Sequence, residues 1–146
     1  MSTIRDLLET KGRDVYITSA DASIEDAVAE MCSVKVGALL IVDESSKPVG
    51  ILSERDLLIR VLLAHRDPAT TAVGDVMTRH LVCIDEDDTL SHAIALMTHK
   101  RCRHLPVVRE GVVGMVSIGD LVRATNGDYE HEVRVLHDYV EGRYPG

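Results

Sequence analysis

Val49-Gly50-Ile51-Leu52-Ser53-Glu54-Arg55-Asp56-Leu57 returns as Val113-Gly114-Met115-Val116-Ser117-Ile118-Gly119-Asp120-Leu121. In each copy an apolar run ends in Ser, and an Asp follows three residues later at the start of a helical pattern. The correspondence extends upstream. Val15 to Met31 lies over Leu81 to Met97 at a spacing of 66, with Ile24/Leu90, Ala27/Ala93, Val28/Ile94 and Met31/Met97 in register. Val36 to Val42 lies over Cys102 to Val108 at the same spacing, which then falls to 64 because Glu44 to Pro48 is a longer turn than Glu110-Gly111. An insertion confined to a hairpin turn is what a duplicated fold tolerates.

Each copy reads as β-α-β-β-α. Ser23 is placed to cap a helix, with Glu25 and Asp26 in its first turn, and Ile24, Ala27, Val28 and Met31 form one helical stripe. Asp88 or Thr89 caps the second copy, and Leu90, Ala93, Ile94 and Met97 repeat the stripe. Two β-branched runs follow in each copy, Leu39 to Val42 with Val49 to Leu52 and Leu105 to Val108 with Val112 to Val116, as hairpin strands. A second helix starts after each Ser. Glu54 to Leu63 is expected to turn Leu57, Leu58, Val61 and Leu62 inward, and Ile118 to Ala124 is its counterpart. Short helical leads, Ile4 to Glu9 and Val73 to Met77, precede the copies.

Helices on one face of a small sheet make an α+β lobe, and two such lobes pack sheet to sheet about a pseudo-twofold axis, leaving two related clefts. The expected division is a first repeat with its lead over 1–72, a second repeat over 73–125, and a C-terminal helical tail over 126–146, with Tyr129, Val133, Leu136 and Val140 as its stripe.

Composition narrows the partners. A formal charge of −8, from 24 acidic against 16 basic residues, disfavours binding to a phosphate backbone, so no nucleic-acid partner is expected. With no Phe or Trp and four Tyr, the chain lacks stacking platforms and a membrane-interface belt, and its apolar runs are too short to span a bilayer. The opening residues lack the regions of a secretory signal, and a cytoplasmic protein with no membrane partner is expected. Cys32, Cys83 and Cys102 form no Cys-x-x-Cys pair and no disulfide framework.

The repeated Ser-x-x-Asp has a plain use, because a carboxylate in a first helical turn caps free N–H groups and favours the positive end of the dipole. Its recurrence beside two related clefts points further. A carboxylate there is able to accept two hydrogen bonds from a ribose diol, while a Ser hydroxyl and helix N-terminal amides suit a phosphate.

The β-α-β-β-α repeat with Gly-x-x-Ser-x-x-Asp, the His104 to Val108 run and Val76-Met77-Thr78 resemble a tandem pair of CBS domains, a Bateman module, over about residues 13 to 125. Short stand-alone bacterial CBS proteins are the nearest kind. The resemblance implies a non-catalytic regulatory module without covalent cofactor. It implies binding of adenosine-containing ligands such as AMP, ADP, ATP, NAD or S-adenosylmethionine, and a protein partner in trans. It further implies that the Asp56 cleft is lined by Ile51, Ser53, Thr78, Val82, Cys102, Arg103 and His104, with the basic pair meeting a phosphate. The Asp120 cleft would be lined by Met115, Ser117, Tyr16, Val36, Gly37 and Ala38, without a basic pair on its strand, so that phosphate-bearing nucleotide prefers the Asp56 cleft and the Asp120 cleft is weaker, empty, or suited to an uncharged adenosyl group. Glu54 and Arg55 read as exposed helix-start charges, with Arg55 also within reach of a phosphate. A homodimer formed through the second helices of the repeats is also implied.

Other readings stay open on the residues alone. His80, Cys83, His92, His99, Cys102 and His104 are ligand types that suit zinc, although their spacing matches no strong pattern. Ser53, His104 and Asp56 form an imaginable nucleophile set, but the chain offers no nucleophile elbow and no phosphate-cradling glycine loop. A dimer with a purely structural role completes the alternatives.

Overall fold

A computed structural model describes residues 2–125. The C-terminal helix expected over 126–146 lies outside these residues.

The chain forms α1 (Ile4–Lys11), β1 (Ile17–Thr18), α2 (Ile24–Val34), β2 (Ala38–Val42), β3 (Pro48–Ser53) and α3 (Glu54–Asp56), which continues as a π-helix over Leu57–Leu62. After a 3-10 turn at Val73–Asp75 come β4 (Ile84–Asp85), α4 (Leu90–Lys100), β5 (His104–Val108), β6 (Val112–Ser117) and α5 (Ile118–Thr125). Two three-stranded sheets result, β1-β2-β3 and β4-β5-β6, each with one parallel and one antiparallel pairing. The registers match too. Ala38 pairs with Ser53 as His104 pairs with Ser117, and each hairpin carries its irregularity at the equivalent place, Ile41/Val42 and Val107/Val108.

The helix signals act as read. Ser23 accepts from the Asp26 N–H and Thr89 from the His92 N–H at the N-caps of α2 and α4. Both helices end on a left-handed residue, Lys35 and Arg101, and close with 6→1 bonds from Val36 N to Met31 O and from Cys102 N to Met97 O. These closures aim the chain into β2 and β5.

The central strands are buried on both faces. Leu39 and Ile41 pack with Ile24, Ala27 and Met31 of α2, while Ala38 and Leu40 are buried on the opposite face. Leu105 and Val107 likewise face Leu90, Ala93 and Met97, with Pro106 buried behind them. A strand covered on both faces by helix and by sheet needs this continuous apolar character, and it sets the two lobes sheet to sheet.

The leads are exchanged. Ile4, Leu7 and Leu8 of α1 are buried in the core of the second repeat, with Ile84, Leu90 and Leu121. Val73, Val76 and Met77 are buried in the core of the first. Backbone bonds fix the swap, from Ile4 N to Asp88 O and Arg5 N to Glu86 O on one side and from Val73 N to Ala22 O and Gly74 N to Ala20 O on the other. Each lead thus belongs by sequence to one repeat and by packing to the other.

One expectation fails in the first repeat. Leu57 is partly buried and Val61 buried, but Leu58 and Leu62 are exposed, Leu62 at 70%. This segment is a π-helix, with bonds from Leu63 N to Leu58 O and from Arg66 N to Val61 O. Leu57 and Val61, four apart, share the side that meets the first core, whereas Leu58 and Leu62 share the adjacent side, which no element of this chain covers among the described residues.

Candidate functional site

Both Ser-x-x-Asp motifs form the reciprocal cap that their spacing allows. The Ser53 N–H donates to Asp56 Oδ2 at 2.9 Å, and the Asp56 N–H donates to Ser53 Oγ at 3.3 Å. At the second site the Ser117 N–H donates to Asp120 Oδ2 at 2.8 Å, and the Asp120 N–H to Ser117 Oγ at 3.1 Å. Both carboxylates are buried, Asp56 at 7% and Asp120 at 9% exposure. Capping engages Oδ2 in each case. The two sites part in the further partners that each carboxylate takes.

At Asp56 the second oxygen accepts from the Thr78 hydroxyl at 2.9 Å. Thr78 is held there by its backbone, which exchanges bonds of 2.9 and 2.8 Å with Ile51 on the outer edge of β3. The lead reaches this edge because position 50 has no side chain: a Cβ there would lie 2.6 Å from Met77 Sδ and 3.0 Å from the Thr78 carbonyl. Arg60 donates to the carbonyls of Val76 and Met77, and its Nε stays 4.0 Å from Asp56.

At Asp120 the lead brings a charge. Leu8 of α1 lies against Gly114, where a Cβ would stand 2.8 Å from it, and this approach carries Lys11 to the outer edge of β6. Lys11 Nζ donates to the Met115 carbonyl at 2.6 Å and stands 3.0 Å from Asp120 Oδ2. Arg123 donates to Asp120 Oδ1 at 2.7 Å. Burial pushes the Asp120 carboxyl up, but the Ser117 N–H and the Lys11 ammonium together outweigh it and hold its pKa below the ordinary carboxylate value.

The structure therefore gathers Ile51, Ser53, Asp56 and Thr78 at one position and Met115, Ser117 and Asp120 at the other. His104 sits at the seam between the repeats. A Cβ on Gly37 would lie 3.5 Å from His104 Nε2 and 2.9 Å from Glu54 Oε1. Burial lowers the His104 pKa, against the opposing pull of Glu54 and Asp120. The ring thus feels α3 of one repeat and the Asp of its own, and among the described residues neither His104 nor Arg103 hydrogen-bonds Asp56. Arg103 is exposed, and its carbonyl accepts from Ile118 N at 2.9 Å. Val82 and Cys102 pack on the second core and Val36 on the first. Ala38 is buried in its pairing with Ser53, and Tyr16 is exposed, its carbonyl accepting from Leu40 N.

Lys11 and Arg123 carry no mark in the repeat motif. Lys11 comes to Asp120 only through the exchange of leads, whereas Arg123 sits three residues beyond Asp120 and was legible as an i,i+3 pair. The absence of a basic pair from β2 thus does not leave the Asp120 position without cations.

The zinc candidates do not converge. Among the described residues, no three His, Cys, Asp or Glu side chains come close enough to hold an ion. Burial raises the thiol pKa of Cys83 and Cys102, which keeps them protonated. No helix among the described residues is long and apolar enough to cross a membrane.

Comparison with known proteins agrees with this construction. The CBS domain family matches residues 4–63 and again 73–127. The mitochondrial CBS domain-containing protein CBSX3 of Arabidopsis thaliana is 36% identical over 152 residues, covering 98% of this chain and 74% of its own. A structure of a CBS-domain protein from Burkholderia ambifaria is 35% identical, with a TM-score of 0.83 over 86% of this chain and 95% of its own. The CBS domain pair of protein MJ0100, in complex with 5'-methylthioadenosine and S-adenosyl-L-methionine, is 26% identical, with a TM-score of 0.75 over 86% of this chain and 97% of its own. Two matches along one chain, two equivalent sheets and two equivalent Ser-Asp caps have one explanation: the chain belongs to the CBS domain family, as a tandem pair of these regulatory domains.

Proposed function

We propose that the pair is a non-catalytic sensor of an adenosine-containing ligand such as AMP, ADP, ATP, NAD or S-adenosylmethionine. The ligand binds in the clefts between the repeats and signals to a protein partner in trans. The observation that carries this reading is the pair of buried carboxylates, Asp56 and Asp120, each held at a helix start beside the outer edge of a strand. A ribose diol donates to the carboxylate, and an adenine amino group finds a backbone acceptor on the strand edge at the Met115 carbonyl. The bound adenosyl ligands of the MJ0100 domain pair support the ligand class.

Around Asp56 the site comprises Ile51, Ser53, Thr78, Val82, Cys102, Arg103 and His104. Around Asp120 it comprises Met115, Ser117, Tyr16, Val36, Gly37 and Ala38. A ligand touching both repeats favours the arrangement to which it binds more tightly, and that difference is what a partner reads. The exposed Leu58 and Leu62 line an open groove of about 570 Å³ together with Ile24 and Val28, and Ile59 and Leu63 are exposed beside them. This face supports a homodimer, because large apolar side chains at this density are found where another surface covers them.

A thermal-shift screen of AMP, ADP, ATP, NAD and S-adenosylmethionine, followed by calorimetric stoichiometry, tests the ligand class. A melting temperature that rises with ligand concentration supports it. No shift with any of the five overturns it.

A further inference from the structure

The two anchors differ in what holds them, and the difference has a chemical consequence. Asp56 is gripped by a neutral hydroxyl, from Thr78, and Arg60 is turned to the carbonyls of Val76 and Met77. Asp120 is gripped by an ammonium and a guanidinium, so its immediate surroundings carry two positive charges against one negative. Lys11 does more than neutralise. Its Nζ bridges the Asp120 carboxylate and the Met115 carbonyl, the two acceptors that a ribose and an adenine amino group would use.

We propose that Lys11 determines specificity at the Asp120 cleft: it is a tethered competitor that an entering nucleoside displaces from Asp120, and once displaced it pairs with the ligand's 5'-phosphate. The cleft thereby selects phosphate-bearing nucleotides over uncharged adenosyl compounds. This rests on the adenosyl-binding reading above and names the ligand class of one of its two sites.

The tether has the required mechanics. Lys11 is the last residue of α1, whose position is fixed by Leu8 against Gly114 and by burial of Ile4, Leu7 and Leu8. Its backbone is therefore held while a flexible four-carbon stem lets the ammonium swing. An uncharged nucleoside breaks the Lys11–Asp120 pair and offers the lysine nothing in return. A nucleotide breaks the same pair and supplies a phosphate. Arg123, 74% exposed at its side chain, is free to follow the same charge. Asp56 has no hydrogen-bonded cation to compete with a ligand: Thr78 holds Oδ1 by a neutral hydroxyl, and Arg60, its Nε 4.0 Å away, donates to the Val76 and Met77 carbonyls instead.

The test is calorimetric titration of the full chain carrying Asp56→Asn, so that the Asp120 cleft reports alone, with AMP and with adenosine. Lys11→Met is expected to lower the AMP-to-adenosine affinity ratio about tenfold or more, the size of one lost charge-assisted bond, partly by tightening adenosine. Lys11→Arg, which keeps the charge and guards against a folding defect in the Met variant, is expected to retain most of the preference. An unchanged ratio in Lys11→Met, or binding by the wild type that vanishes entirely in Asp56→Asn, overturns the proposal and leaves the adenosyl-sensor reading standing. Failure of the wild type to bind either compound overturns the proposal, while the adenosyl-sensor reading is decided by the five-ligand screen.

Discussion

The Thr78 hydroxyl stands 2.9 Å from Asp56 Oδ1, reaching it from a lead that sequence assigns to the other repeat. The exchange of leads thus completes each Ser-x-x-Asp position with a side chain from across the duplication. Thr78→Val tests what that contact contributes. It removes the donor while keeping the shape, and leaves a buried carboxylate oxygen short of a partner, so a loss of about 1–3 kcal/mol is expected by urea denaturation. A variant as stable as the wild type would show that Thr78 is incidental to the anchor.

Close approach of the leads depends on Gly50 and Gly114, and Gly37, which faces no lead, serves as the control. Gly114→Ala sets a methyl 2.8 Å from the buried Leu8 and is expected to cost about 1–3 kcal/mol, read as a lower melting temperature. Gly37→Ala meets the tip of the exposed Glu54, which is able to swing aside, so it is expected to be nearly neutral. Equal losses in the two would contradict the assignment of Gly114 as the docking point of α1.

Acid should destabilise the fold in two separable stages. Burial depresses His104, so below its ordinary pKa of about 6.5 the unfolded chain takes up more protons than the folded one, and stability falls as pH drops through that range. Asp120 and Glu86 also have lowered pKa values, Glu86 because Arg13 and Arg5 together outweigh its burial, so their contribution persists through this stage. It is lost at lower pH, as the carboxylates protonate in the folded state. Denaturant midpoints from pH 8 to pH 3 should show both stages, and His104→Gln should abolish only the first.

The apolar face of the π-helix predicts an oligomer. Leu62 and Leu63 are 70% and 72% exposed, so their replacement by Glu leaves the monomer core intact while placing charge on that face. Sedimentation should show a dimer in the wild type and a monomer in Leu62→Glu/Leu63→Glu at the same concentration. A monomeric wild type would remove this face from the interface.

Much of the fold was legible because its signals are local. The caps at Ser23 and Thr89, the stripes of α2 and α4, and the paired hairpins follow from residue spacing. The exchange of leads was not, since the apolar pattern of Ile4 to Leu8 says that a face is buried but not in which core. Nor was the exposure of Leu58 and Leu62, since an apolar stripe marks a face to be covered but not whether the same chain covers it. The site divides in the same way. Ser53, Asp56, Ser117 and Asp120 announce themselves by repetition, whereas Lys11 reaches Asp120 across 109 residues of sequence and becomes visible only once α1 is docked.

The most direct test of the account is calorimetry of the full chain with AMP and with S-adenosylmethionine, wild type against the Asp56→Asn/Asp120→Asn double variant, with thermal melts confirming that both are folded. Saturable binding of at least one ligand by the wild type, weakened about a hundredfold or more when both anchors lose a carboxylate oxygen, is the predicted result. Binding of the same affinity in the double variant would contradict the claim that these two carboxylates anchor the ligand.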